Sequence, residues 1–171
     1  AVFLCALALY VWTLAPGLVF GDPAEYTFVP HIWGISHPPG YAFQTVLGGL
    51  WQRIVPIGSI AYRANLLSAV AGALIAALIY GSVRMLSPDR PDDSPLARYV
   101  PGILAAASAM TATDLWQHSI HANSHIITAL LATASLTPEG SEAMFEIETR
   151  SGLDRIPLRE LRSAWQGTLD W

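Results

Sequence analysis

Two stretches of this chain carry no charge at all, residues 1–20 and residues 64–83. Each is about 20 residues, enough to cross a hydrocarbon core of roughly 30 Å as a helix. Inside such a core every backbone N–H and C=O needs an internal partner, which a helix supplies by itself. The composition agrees: 53% of residues are hydrophobic and 13% charged, against about 25% charged in soluble domains. The expected fold class is therefore all-α, a polytopic transmembrane helical protein. A net charge of −4 without a basic stripe argues against nucleic-acid binding. The single cysteine, Cys5, cannot form an internal disulfide.

Four spans are expected, at about 1–20, 64–86, 99–117 and a partial one at 126–136, forming one domain over 1–136. Residues 21–63 form a mixed loop zone rich in Pro, Gly and aromatics. Within it, 41–55 reads as an interfacial or re-entrant helix, too short to span. Residues 87–98 are a polar loop with three prolines, which forbid a regular helix. Arg84, Arg90 and Arg98 bracket that loop, while 21–52 contain no Lys or Arg. The positive-inside rule then puts 87–98 in the cytoplasm and 21–63 outside. Residues 137–171 carry 11 of the 22 charged side chains and read as a polar tail, disordered or out of frame. The chain starts at Ala1 inside an apolar run and reads as a fragment; a signal peptide over 1–15 is the rival, without a basic leading region.

The acidic pair Asp22-Pro23-Ala24-Glu25 follows the first apolar run directly. Carboxylates beside a membrane are costly unless capped, paired or used. One reading is structural: Asp22 as N-cap, Pro23 at the first helical position and Glu25 at the third resemble a capping box. The other is catalytic: a carboxylate in a partly dry cleft can take a proton from a hydroxyl. Twelve residues past Glu25 comes His37-Pro38-Pro39-Gly40. It reads as a rigid turn, or as a device that sets His37 near the acids to bind phosphate or adjust a carboxylate.

Arg63 and Asn65 open the second long span. Arg63 is either a snorkelling anchor or a holder of lipid-linked phosphate, and Asn65 joins it as a substrate-binding candidate. Asp114, His118, His121 and His125 would fall within about 60° of one face of a continuous helix. His118, His121 and His125 are weak metal candidates; a polar face lining a watery cavity is the alternative.

In this order and spacing, Asp22-Pro23-Ala24-Glu25, His37-Pro38-Pro39-Gly40 and Arg63-Ala64-Asn65-Leu66-Leu67-Ser68-Ala69 resemble a bacterial multi-span membrane family. That family was long catalogued only as a domain of unknown function. It is related to the transmembrane protein O-mannosyltransferases and has the glycosyltransferase-C architecture. The resemblance covers about residues 8–135. It implies an enzyme of the inner (plasma) membrane that uses a polyprenyl-phosphate sugar, with membrane lipid and the lipid-linked donor as partners and a divalent metal as a possible cofactor. It also implies that the first external loop supplies a catalytic base or metal-linked acid, here Asp22, with Glu25 the second acid. One departure stands out: relatives tend to carry Glu before the fourth helix, where this chain has Asn123. Two other classes compete with the transferase. One is a non-catalytic or transporter-like membrane subunit whose acids and histidines line an ion path; the other is an inactive gene remnant.

Overall fold

A computed structural model describes residues 1–37, 41–87, 94 and 96–137. Pro38-Pro39-Gly40, most of the polar loop and the tail beyond residue 137 lie outside the described residues. The chain divides into two compact units, Ala1–Ala134 and Ser135–Trp171, and the first holds nearly all of the described residues. The described residues are helical and coil, with no strand, as the composition predicts.

Seven helices occur in order among them: α1 Val2–Trp12, α2 Asp22–Ile32, α3 Ala42–Ile54, α4 Ile60–Leu86, α5 Val100–Thr111, α6 Thr113–Ser119 and α7 Ser124–Leu136. The organising element is α4. Its 27 residues reach about 40 Å at 1.5 Å per residue, and it alone among the described helices is long and apolar enough to cross a membrane. It starts earlier than the expected span at residue 64, because Ser59 caps it: Ser59 Oγ accepts from Tyr62 N at 3.1 Å.

Small residues on α4 let its neighbours approach closely. Ala69, Ala73 and Ala76 pack against Ala6 and Tyr10 of α1 and Leu14 just beyond it. Leu67, Ala71 and Ile75 pack against Ile126 and Ile127 of α7. At Gly72 an added Cβ would come within 2.0 Å of Ser119 Oγ, so α6 crosses α4 where only glycine leaves room. Gly102 of α5 lies against Tyr80 and Arg84 at the other end of α4. Rising residue numbers in α1, and in α5 followed by α6, run toward the start of α4, so these elements are antiparallel to it. The Tyr10 hydroxyl donates to Met110 O at 2.9 Å and ties α1 to α5.

Two of the expected spans are not continuous helices. The first apolar run yields only 11 helical residues, because Pro16-Gly17 follow Ala15 and the chain to Gly21 is irregular. The 99–117 span is broken at Ala112, whose backbone turns extended at φ −60°, ψ 129°. Thr111 Oγ1 bonds back to Ala107 O at 2.7 Å just before the break.

The expected short helix at 41–55 is present as α3, and its polarity is inverted. Its buried residues are Gln44, Thr45, Gly48, Gly49 and Gln52. Its exposed residues include Phe43, Val46, Leu50 and Ile54. Gly48 and Gly49 face Pro30 and Trp33 so closely that a Cβ at Gly49 would stand 2.8 Å from Pro30 O. The glycine pair therefore seats α3 on α2. Arg53 locks the contact, donating to His31 O at 2.9 Å and lying 4.6 Å over the Trp33 ring.

Candidate active site

The capping box expected at Asp22 does not form. Gly21 takes the N-cap position at φ 86°, a conformation open to glycine, which moves Asp22 one place inward to the first residue of α2. No side chain caps this helix. Asp22 is exposed, and among the described residues its carboxylate has no hydrogen-bond or ion-pair partner. Its position still suits the positive end of the helix dipole.

Glu25, one turn further on, reaches out of α2 to His37. Its Oε1 accepts the His37 backbone N–H at 2.6 Å, and its Oε2 meets His37 Nδ1 at 2.6 Å. The Glu25 side chain is 29% exposed and that of His37 42%, so solvent still reaches the pair. The ring hydrogen bond from His37, then the backbone one, hold the Glu25 carboxyl below its ordinary range. The same ring bond raises the His37 imidazole, and the charges of Glu25 and Asp22 add to the rise. Asp22 is thus within electrostatic reach of His37 without pairing with it.

Two aromatic residues without an assigned role in the sequence complete the site. Tyr41 stands edge-on to both Tyr26, at 5.3 Å between ring centroids, and His37, at 5.4 Å. Tyr41 holds a left-handed backbone, φ 41°, as the N-cap of α3, a strained choice for an aromatic residue. Tyr26 is buried, and burial pushes its phenol up to about 12, with Tyr41 and Asp22 adding to the push. Tyr26 and Tyr41 are visible in the sequence as the residues after Glu25 and Gly40. Nothing in spacing alone indicates that their rings meet.

Asp22, Glu25 and His37 are therefore brought together, as their spacing in the sequence anticipates. Arg63 and Asn65 are not. Arg63 Nη1 donates to Gln52 O at 2.9 Å and Nε to Ile57 O at 3.4 Å, so its guanidinium closes the α3–α4 turn. Asn65 is 1% exposed. Its Nδ2 donates to Ala15 O at 2.8 Å and Gly17 O at 3.0 Å, and its Oδ1 accepts Ala122 N at 2.8 Å. Those three bonds to backbone make Asn65 a tie between the segment after α1 and the turn before α7.

The histidines also depart from expectation. They do not share one helix face, because the chain leaves the helix after Ser119 and α7 starts at Ser124. His118 stands edge-on to His121 at 6.1 Å and to His125 at 5.7 Å. Asn123 Oδ1 accepts His125 N at 2.7 Å, capping α7, so its Nδ2 is the atom 2.9 Å from His118 Nδ1. His118 Nδ1 must then be an acceptor, which leaves Nε2–H directed at Asp114 Oδ1, 3.6 Å away. Among the described residues no three His, Cys, Asp or Glu side chains are arranged to hold a metal ion. At the α2 site both Glu25 oxygens are engaged by His37, which leaves Asp22 as the carboxylate there without a partner among the described residues.

Comparison with known proteins places this geometry in a family. Residues 22–144 match the protein O-mannosyl-transferase TMEM260 N-terminal domain. The match begins at Asp22 and takes in the whole acid–histidine site. A protein O-mannosyl-transferase TMEM260 from Mus musculus is 38% identical over 122 residues, 71% of this chain and 16% of the mouse protein. A second, from Dictyostelium discoideum, is 32% identical over 83 residues, 47% of this chain and 10% of that protein. The chain thus spans a small part of the length of the relatives it matches. No solved structure matches it. With the matched segment covering well over half of its residues, the chain belongs to the protein O-mannosyl-transferase TMEM260 N-terminal domain family.

Proposed function

We propose that this chain forms the N-terminal part of a multi-pass plasma-membrane glycosyltransferase. It transfers a sugar from a polyprenyl-phosphate donor to an acceptor hydroxyl at the outer face, with Asp22 as the general base. The observation that carries this reading is the unpartnered Asp22 carboxylate, held on the first turn of α2 beside the Glu25–His37 pair. The site packs around the start of α4, the span-length helix: Tyr26 clusters with Ala64 and Ala122. A lipid-linked donor presents its phosphate and sugar near a membrane surface, which is where the end of such a helix lies. The inverted polarity of α3 supports a lipid-facing position, because its apolar side chains point away from the protein. The names of the related proteins support the sugar-transfer class.

A transport role would need polar groups along the length of the bundle. Here the acids and histidines of both clusters gather toward one end of α4, near Asn65 and Ala122, which favours transfer chemistry at a surface.

Asp22→Asn tests the base directly. Asp22 caps nothing and is exposed, so the fold should change by no more than the helix-dipole scale, about 0.3–1 kcal/mol. Sugar transfer by the full protein in membranes should fall by roughly 10²-fold or more, the scale of a lost general base. Near-normal transfer by a folded Asp22→Asn protein removes Asp22 from the mechanism.

A further inference from the structure

Both oxygens of Glu25 are engaged by one residue, the backbone and the ring of His37. We propose that Glu25 is a positioning residue acting through His37, and that His37 Nε2–H holds the phosphate of the sugar donor. This rests on the transferase reading above and assigns the donor's subsite within it.

A carboxylate only accepts, so His37 Nδ1 must carry a proton. Pairing with an anion favours the imidazolium, in which Nε2 carries a proton as well, and the raised basicity of His37 agrees. The second bond, from the backbone N–H of the same residue, helps fix where the ring stands. Tyr41 and Tyr26 flank the ring at 5.4 and 6.3 Å. Nε2 has no partner among the described residues, and the side chain is 42% exposed. The titratable groups around the ring are Glu25, Asp22, Tyr26 and Tyr41. Of these Glu25 is already bonded, and Asp22 is near without an ion pair. An oriented cation and an unpartnered carboxylate, separated and on one surface, are the two groups that a displacement at an anomeric carbon uses.

In that step the acceptor O–H gives its proton to the Asp22 carboxylate, and the acceptor oxygen bonds to the anomeric carbon. The bond from that carbon to the phosphate oxygen breaks, and its electron pair leaves with the polyprenyl phosphate. The leaving group gains one negative charge, which the His37 Nε2–H bond stabilises. Glu25 touches neither reactant.

The test uses the full protein in membranes and two readouts. The first is transfer from polyprenyl-phosphate mannose by Glu25→Gln, His37→Gln and the double variant, with Glu25→Asp as the conservative control. Each single change should lower kcat/KM at least roughly tenfold, through kcat as well as KM, because the lost charged hydrogen bond strengthens as charge develops on the leaving group. The double variant should be no worse than His37→Gln, and Glu25→Asp should recover part of the loss. Full multiplication of the two losses would overturn the positioning role.

The second readout needs no transfer: the rate of carbethoxylation at His37, followed by mass spectrometry. Polyprenyl phosphate without a sugar should slow it at least roughly tenfold in the wild type and not in Glu25→Gln, which again reports a charged hydrogen bond. Equal protection by inorganic phosphate or by a nucleotide sugar would assign the subsite to free phosphates and overturn the lipid-donor assignment. Protection without any sugar transfer would sink the transferase reading and leave the phosphate subsite standing. Transfer without protection would do the reverse.

Discussion

Asp22 and Glu25 lie one helical turn apart on α2 and differ in every contact they make. Glu25 is bonded twice to His37, and Asp22 is bonded to nothing among the described residues. The Glu25–His37 pair also carries a pH signature. The Glu25 share of its stability is in place above the ordinary carboxylate value, about 4.3, and is lost as pH falls through the lowered folded value. The His37 share is in place below the ordinary imidazole value, about 6.5, and is lost as pH rises through the raised folded value. Both shares coexist between about pH 4.3 and 6.5. The difference in melting temperature between wild type and Glu25→Gln should be largest in that window and shrink on either side. A difference that does not vary with pH would mean the pair contributes only through shape. The acidic pair and His37 are legible as a group from their spacing and chemistry. Which acid meets the histidine is not. That depends on Gly21, whose positive φ takes the cap position and leaves Glu25, not Asp22, to reach residue 37.

Among the elements, α4 is legible from its uncharged run, apart from its start. The charge of Arg63 marks a boundary in the sequence, yet its guanidinium folds back onto Gln52 O, and the helix continues past it to Ser59. The break between α5 and α6 has no comparable signal: no proline or glycine stands at 111–113. The break before α7 does have one, since Asn123 is a strong capping residue and its side chain holds His125 N. Asn123 thus serves the cap and His118 at once. The crossing of α4 and α6 makes the sharpest element-scale test. Gly72→Ala places a methyl 2.0 Å from Ser119 Oγ and 2.8 Å from Ser119 Cβ. Such overpacking costs about 1–3 kcal/mol, and Ser119→Gly in the same chain should recover much of it. Thermal unfolding of the three proteins in detergent would show this; an undisturbed Gly72→Ala protein would mean that α6 is free to shift.

For the whole unit, one orientation satisfies the charge pattern and the geometry together. The candidate site gathers at Ala64 near the start of α4, while Arg84 stands near its other end, about 30 Å away along the helix. The site should therefore face outward and the loop the cytoplasm. A cysteine placed at Ser94 should resist an impermeant reagent in intact cells and react after permeabilisation. Labelling in intact cells would invert the topology and move the acid–histidine site to the cytoplasmic side.

Asn65 has a further consequence, in the order of assembly. Two of its partners, Ala15 and Gly17, precede it in the chain, while the third, Ala122, comes 57 residues later. At about 5–20 residues per second of synthesis, roughly 3–11 s pass before that last partner exists. During this interval α1 and α4 can already pair, but the Asn65 carbonyl must be satisfied by something else in a medium poor in donors. The bond to Ala122 N can form only once the turn ahead of α7 emerges. Only then can the bundle close around the helix that organises it.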